Sequence, residues 1–309
     1  MRKRLRKLIR PYDEALHGIQ QSVDKIGRTV AKLDSKLAAL QSKVARIESL
    51  SLQSGNSIKQ FDNSMKNEIR KLNNQFQKIA RNEFRQTEAL GSLLTLMKPR
   101  VPLPATRGWA GSPDFLLHIY RHIISHRTDV VIELGSGVTT VVAAAALRAR
   151  GGRGRLHCID HDSTYAEATR HLIAEHGLED VATVHHGPLV AWTPSRDSSL
   201  GKSWSWYSVP DQVNAISEID LLVVDGPPHS TGRYARYPAV PQFRSKFTPG
   251  CVVLLDDAKR DDEEEIATVW SEEWGLTLEL KLDYEKGLAV LTPACDAGER
   301  RELTSTLQR

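Results

Sequence analysis

Hydrophobic positions follow two different rhythms along the chain. From Ile19 the apolar residues step by four and then three without a miss: Ile19, Val23, Ile26, Val30, Leu33, Leu37, Leu40, Val44 and Ile47. This spacing predicts a heptad seam on a long helix, with Val23, Val30, Leu37 and Val44 at a and the other five at d. β-Branched a positions favour two parallel strands, while isoleucine at some d positions leaves a trimer open. A helix this polar elsewhere has no core to pack on, so the seam predicts self-association as a dimer or trimer. It weakens at Ser51 and Ser54, and Gly55-Asn56 lowers helix propensity. Apolar positions resume at Ile58, Phe61 and Met65, then slip by one residue to Ile69, Leu72, Phe76 and Ile79, in the manner of a stutter. A continuous helix with a weak joint is expected in preference to a hairpin folding back at Gly55. Pro99, Pro102 and Pro104 end the helical pattern. The expected division is a basic N-terminus and coiled-coil stalk over 1–98, a proline-rich linker over 99–108 and a globular domain over 109–309.

Beyond the linker the rhythm changes. The stretch 112–125 has helical spacing, with Ser112 at the N-cap and Pro113 at the first helical position. Apolar strands then alternate with helices: VVIELG, TTVVAAAALRARG, RLHCID, STYAEATRHLIAEHG and VATVHH. After a tryptophan-rich loop come IDLLVVDG, a helix from about Pro238, CVVLLDD, a helix over about 262–273 and a closing hairpin of LTLELKL and GLAVLTP. The pattern predicts an α/β, Rossmann-like, mostly parallel sheet with helices on both faces. Such sheets bind ligands outside the carboxyl ends of their strands.

Charge separates the same two parts. Residues 1–100 hold 21 Lys/Arg against 9 Asp/Glu, and the remainder holds 21 against 29, although the whole chain is only +4. A basic stalk meets an anionic partner or is simply a solvated helix. The cluster Arg2, Lys3, Arg4, Arg6, Lys7 and Arg10, interleaved with Leu5, Leu8 and Ile9, favours an anionic membrane surface, with nucleic acid ranked behind it. No window reaches the roughly 18 apolar residues of a membrane span, and the basic N-terminus lacks a following apolar stretch. Cys158 and Cys251 sit in apolar runs and read as buried free thiols. The expected location is cytoplasmic, peripheral at a membrane surface.

Candidate chemistry gathers at strand ends. Glu133-Leu134-Gly135-Ser136-Gly137 closes the first strand and enters a helix. Glycines allow the sharp turn and close approach to a ligand. Dinucleotide enzymes use a similar turn, but Thr140 stands at their third glycine position, and Glu133 would repel a pyrophosphate placed at the helix N-terminus. A donor carrying a sulfonium and an ammonium group suits that carboxylate. The next strand ends at Cys158-Ile159-Asp160-His161-Asp162, where an acid can hold both ribose hydroxyls. Asp160 is the first candidate, and Asp162 or Ser163 reads better as a helix N-cap.

ELGSG, the acid of CIDHD, VVDGPP and VLLDDA, in this order and spacing, resemble the class I S-adenosylmethionine-dependent methyltransferases over roughly residues 109–295. The resemblance implies a seven-stranded sheet with an antiparallel last strand and S-adenosylmethionine as cofactor. It implies that Glu133, Gly135, Ser136 and Gly137 cradle the methionine end and Asp160, with His161, the ribose. His186-Gly187-Pro188-Leu189 would flank the adenine, where the family usually has an acid, and Asp225 would lie near the methyl group.

Asp225 and the pair Asp256-Asp257 end two further strands. Three close carboxylates need a cation or raised pKa values, and hard cations such as Mg2+ take oxygen ligands of this kind. The arrangement is similar to the cation-dependent O-methyltransferases, including catechol and macrolide-sugar enzymes, which implies Asp225, Asp256 and Asp257 as metal ligands activating a hydroxyl. Alternatively Asp256 and Asp257 are ordinary strand-end acids, one of them paired with Lys259, itself a catalytic candidate. His229, in the loop after Asp225, is a candidate general base. Gly226 puts the following prolines out of register with the motif by which many enzymes methylate nucleobase amines. The loop with Trp192, Trp204, Trp206 and Tyr207 reads as a lid over the acceptor or a plug on the sheet, and an anionic acceptor would explain Arg233 and Arg236.

The leading expectation is metal-assisted O-methylation of a sugar, glycan or other small-molecule hydroxyl. The alternatives are a metal-independent methyltransferase of protein or RNA, and a coiled-coil scaffold with an inactive methyltransferase fold.

Overall fold

The computed structural model describes the backbone of residues 2–50 and 57–293, and side chains over 23–47 and 61–293. Contacts divide the chain into Met1–Arg85 and Gln86–Arg309. The first unit contains α1 (Arg2–Leu50) and most of α2 (Ser57–Met97). One surface groove of this unit is lined by Thr29, Ala31, Leu33 and Lys36 of α1 together with Ile79 of α2. Ile79 lies about as far beyond the break as Leu33 lies before it, and one straight helix through both would keep them far apart, so the chain turns back between α1 and α2. This corrects the expectation of one continuous helix, and the weak joint at Gly55-Asn56 lies outside the described residues. Met65 is buried, while Val23, Ile26, Val30 and Leu37 of the seam remain exposed.

The second unit begins within α2, ahead of the prolines. Ala89 and Leu93 of the last turns are buried in the same core as Phe115, Leu116 and Ile119 of α3 (Pro113–Ser125). Proline therefore ends the helix without marking the edge of the globular unit. Next come β1 (Val130–Leu134), α4 (Val138–Ala149), β2 (Arg155–Asp160), α5 (Ser163–His176) and β3 (Ala182–His186). A two-stranded antiparallel sheet, β4 (Leu189–Trp192) and β5 (Trp204–Tyr207), follows. The chain continues through α6 (Asp211–Asn214), β6 (Ile219–Val224), α7 (Ala239–Phe243), β7 (Phe247–Asp256), α8 (Asp261–Trp274), β8 (Leu276–Lys281) and β9 (Leu288–Pro293).

Seven strands form one sheet in the order β3-β2-β1-β6-β7-β9-β8, parallel except for the pairings of β9. Strand alternation sends Val131, Cys158, Val223 and Leu254 to the face covered by α3, α4 and α5. Ile132, Ile159, Leu222 and Val253 face α7, α8 and the β4–β5 pair. Continuous apolar strands are what a sheet buried on both faces requires. Asp162 caps α5 by accepting from Thr164 N at 2.7 Å and Tyr165 N at 3.2 Å, and Gly177 ends it in the left-handed conformation. Trp204, Trp206 and Tyr207 are buried, with Trp204 stacked near Tyr237 at 4.7 Å, so the aromatic loop is a plug on the sheet and not a lid.

Asp114, at the start of α3, joins three segments. It accepts from Gln86 Nε2 at 2.7 Å, Ser112 Oγ at 2.6 Å, Phe115 N at 2.9 Å and Glu285 N at 2.8 Å. Hydrogen bonds to a charged partner contribute about 1.5–3 kcal/mol each, and loss of one partner leaves buried donors unpaired. Asp114→Ala should lower unfolding free energy by about 2–4 kcal/mol, measured by urea denaturation. A change below about 0.5 kcal/mol would show that the junction is not held by this carboxylate.

Candidate active site

The site lies along the carboxyl ends of β1, β2, β3, β6 and β7. At the end of β1, Gly135 has φ +99° and packs on the next strand tip: a Cβ there would sit 3.3 Å from Asp225 C and Gly226 N. Its N–H donates to Ile159 O at 2.9 Å, and Asp225 N donates to Leu134 O at 2.9 Å. Three strand tips are therefore locked at one corner. Gly137 caps α4, and a Cβ on it would meet nothing within 4 Å, so the helix N-terminus opens onto free space.

Three acids surround this corner. Glu133 is fully buried, neither carboxylate oxygen has a hydrogen-bond partner, and burial raises its pKa to about 7. Neighbouring Thr139, Thr140 and Cys158 oppose that rise in part. Asp160 accepts from Ser136 Oγ and, at 3.0 Å, from Asp162 N, and His161 Nδ1 lies 3.5 Å from its Oδ1. Gly187 N donates to Asp160 O at 2.8 Å. Glu133, Gly135, Ser136, Gly137, Asp160, His161, Gly187 and Asp225 are thus neighbours at one sheet edge.

At the tips of β6 and β7, one oxygen from each of Asp225, Asp256 and Asp257 lies within 4.8 Å of the others. Burial raises Asp225 to about 6, against the pull of Arg236 and Lys286, and burial likewise raises Asp256. Arg236 is the residue that makes this crowding tolerable. It is 3 % exposed, donates to Asp256 O at 2.9 Å, Asp225 O at 3.0 Å and Asp257 Oδ2 at 2.8 Å, and lies 3.8 Å from Asp225 Oδ1. It therefore clamps two strand tips together, and is not an exposed anchor for an anionic acceptor. Arg233, in contrast, is exposed and faces Asp262 and Glu265.

Lys259 turns away from the acids: its Nζ donates to Tyr284 O at 2.5 Å and Glu285 O at 3.0 Å. The pairing expected of it falls instead to Lys286, whose Nζ lies 3.7 Å from Asp256 Oδ2 and 4.0 Å from Asp257 Oδ1. His229 is exposed in a 3₁₀ turn, His229–Thr231, just after the cis peptide Gly226-Pro227. One residue here, Lys286, was not legible as a site residue, and a second, Tyr207, was read only as part of an aromatic lid or plug. Lys286 reaches the triad from the turn after β8. Tyr207 carries a buried hydroxyl with no hydrogen-bond partner against Gly226, near Asp160 and Asp225.

The buried state of Glu133 has a pH signature. Its folded pKa, about 7, lies above the ordinary 4.5, so the folded state binds the proton more tightly. Its contribution is complete below pH about 4.5 and is lost as pH rises through 7. The span corresponds to about 3 kcal/mol. Glu133→Gln should remove this slope, so that wild-type stability falls relative to the variant between pH 5 and 8 in urea titrations. Parallel pH profiles would contradict a buried, protonatable Glu133.

Residues 132–258 match the model of a family described as "Methyltransferase domain". An arginine N(omega)-methyltransferase from Streptomyces achromogenes subsp. streptozoticus is 39% identical over 67 residues, 22% of this chain and 18% of that relative's length. The S-adenosylhomocysteine-bound Podospora anserina methyltransferase PaMTH1 aligns with a TM-score of 0.47 at 12% identity, covering 67% of this chain and 88% of that one. The O-methyltransferase from Bacillus cereus in complex with S-adenosylhomocysteine aligns with a TM-score of 0.45 at 15% identity, covering 70% and 97%. Over residues 132–258 the globular unit, with its glycine corner and acidic strand tips, is therefore similar to methyltransferase domains.

Proposed function

We propose that this domain moves the methyl group of S-adenosylmethionine onto a hydroxyl of a sugar, glycan or other small molecule, assisted by a divalent cation such as Mg2+. The observation that carries the reading is the convergence of one oxygen from each of Asp225, Asp256 and Asp257 within 4.8 Å. These donors fit a hard cation. Asp257 is held from behind through Oδ2 by Arg236, leaving Oδ1, and Asp256 Oδ2 is buried with no hydrogen-bond partner. Ligating carboxylates supported by such outer partners are the usual arrangement of metal sites.

A bound cation would supply a lowered pKa at the acceptor hydroxyl. The remaining work falls to the chain. Glu133 and the α4 N-terminus at Gly137 would bind the charged methionine end, and Asp160 the ribose. Asp225, next to Gly135, would face both the sulfur and the acceptor oxygen. When bound, the cofactor would supply a methyl group on sulfur, transferred as the carbon–sulfur bond gives way to a carbon–oxygen bond; the hydroxyl proton would leave toward solvent, with His229 as the nearest exposed imidazole in the sequence after Asp225. Methyl transfer from labelled S-adenosylmethionine to a panel of sugars and phenols tests this. Asp225→Asn should lower turnover at least about a hundredfold, the scale of losing one group that stabilises developing charge, and a chelator should do the same. Transfer that persists unchanged with chelator would favour metal-independent methylation.

Self-association belongs to the same proposal. Exposed Val23, Ile26, Val30 and Leu37 support packing of one chain's helices on another's. The cluster at residues 2–10 would then be presented several times to an anionic surface, although its side chains lie outside those described. Among the described residues no helix is long and apolar enough to cross a membrane. Sedimentation should show a dimer or trimer that dissociates in Val30→Asp/Leu37→Asp; a wild-type monomer at micromolar concentration contradicts it.

A further inference from the structure

The least expected neighbour of the acidic triad is Lys286. It belongs to no recognisable motif, and it approaches from the turn joining β8 to β9. Several independent contacts hold it there. Gly287 has φ +79°, and a Cβ on it would stand 2.6 Å from Lys259 N and 3.0 Å from Ala258 C, so the chain passes too close to the β7 tip for any side chain. Lys259 N donates to Lys286 O at 3.0 Å, and Ala258 N to Gly287 O at 3.2 Å. On the other side, Glu285 N donates to Asp114 at 2.8 Å, and the Glu285 carboxylate accepts from Arg107 at 2.8 Å. Lys286 Nζ itself donates to Ala110 O at 3.0 Å. The ammonium is thus anchored by a carbonyl while it faces two carboxylates.

Those carboxylate oxygens are the ones that Arg236 leaves open. Arg236 takes Asp257 Oδ2, whereas Lys286 faces Asp257 Oδ1 and Asp256 Oδ2. A cation bound to Asp256 Oδ2 at about 2.1 Å would lie within about 6 Å of the ammonium, from the 3.7 Å between that oxygen and Nζ. At such separations in a site removed from bulk water, like charges repel strongly. We infer that Lys286 is a resident counter-ion of the triad, which neutralises Asp256 and Asp257 in the resting protein and competes with a divalent cation for them. The inference rests on the metal reading above and adds its control: the affinity for metal is set by a lysine held in place through Ala110 and the Asp114 junction. Lys286 is accordingly a positioning residue for the acids.

Titration of the full chain with Mn2+ in the presence of S-adenosylhomocysteine tests this directly, read by calorimetry and by the free-Mn2+ paramagnetic resonance signal. Lys286→Met and Lys286→Gln should each bind Mn2+ at least about tenfold more tightly than wild type, and Lys286→Arg should stay within about threefold of wild type. Using two neutral variants guards against one that fails to fold, which circular dichroism would show. Equal or weaker binding by both neutral variants, with wild-type binding intact, overturns the role of Lys286 and keeps the metal reading. Binding by the neutral variants alone keeps Lys286 as counter-ion and removes the metal from the native site. Absence of Mn2+ binding in every chain overturns both.

Discussion

Negative charge buried at the carboxyl edge of the sheet is the constraint around which this domain is built. Glu133, Asp160, Asp256, Asp257 and Glu263 are all nearly inaccessible to solvent. Burying a single unpaired charge costs several kcal/mol, and like charges in proximity add to that cost. The fold answers with placed cations and with protons. Arg236 ties Asp225, Asp256 and Asp257 to one guanidinium, Arg260 joins it at Asp257 and Glu263, and Lys286 faces the outer pair. Glu133 has no such partner and keeps a proton up to about pH 7.

On the proposed reading, the same constraint would give the site its selectivity. A corner with Glu133 two residues before Gly135, and with Asp160 and Asp225 on the adjoining strand tips, would favour a positively charged donor and disfavour a pyrophosphate. The geometry that concentrates the acids comes from the backbone: parallel strands end in register, and Gly135 allows β1 and β6 to approach without a side chain between them. Packing on both faces then makes the corner rigid, with the aromatic plug of Trp204, Trp206 and Tyr207 under it on one face and α4 over it on the other. Rigid placement of charge is what electrostatic stabilisation of a transition state requires.

Much of this was readable from the chain. Strand tips announced themselves because apolar runs end abruptly in Glu133-Leu134-Gly135, Asp160, Asp225 and Asp256-Asp257, and the closing hairpin followed from its alternation. Local patterns could not reveal partners that come from afar. Arg236 looked like one of several arginines near Pro238, and only the approach of β6 to β7 shows it as a clamp. Lys259 stands next to the aspartates in sequence, yet its side chain follows the turn toward Tyr284, while Lys286, distant in sequence, fills the position. The start of the globular unit was placed late because proline marks where a helix ends and says nothing about which of its turns are buried; Leu93 lies in the core. The fold-back of α1 and α2 was missed since a stutter and a hairpin leave the same apolar spacing.

Whether the acidic corner holds a sulfonium donor is decided most directly by calorimetric titration of the full chain with S-adenosylmethionine, S-adenosylhomocysteine and NAD in parallel. Saturable one-to-one binding of the first two, with no heat from NAD, is the result required by a site in which Glu133 and Asp160 face the ligand. Saturable binding of NAD, or no binding of S-adenosylmethionine at millimolar concentration, would contradict it.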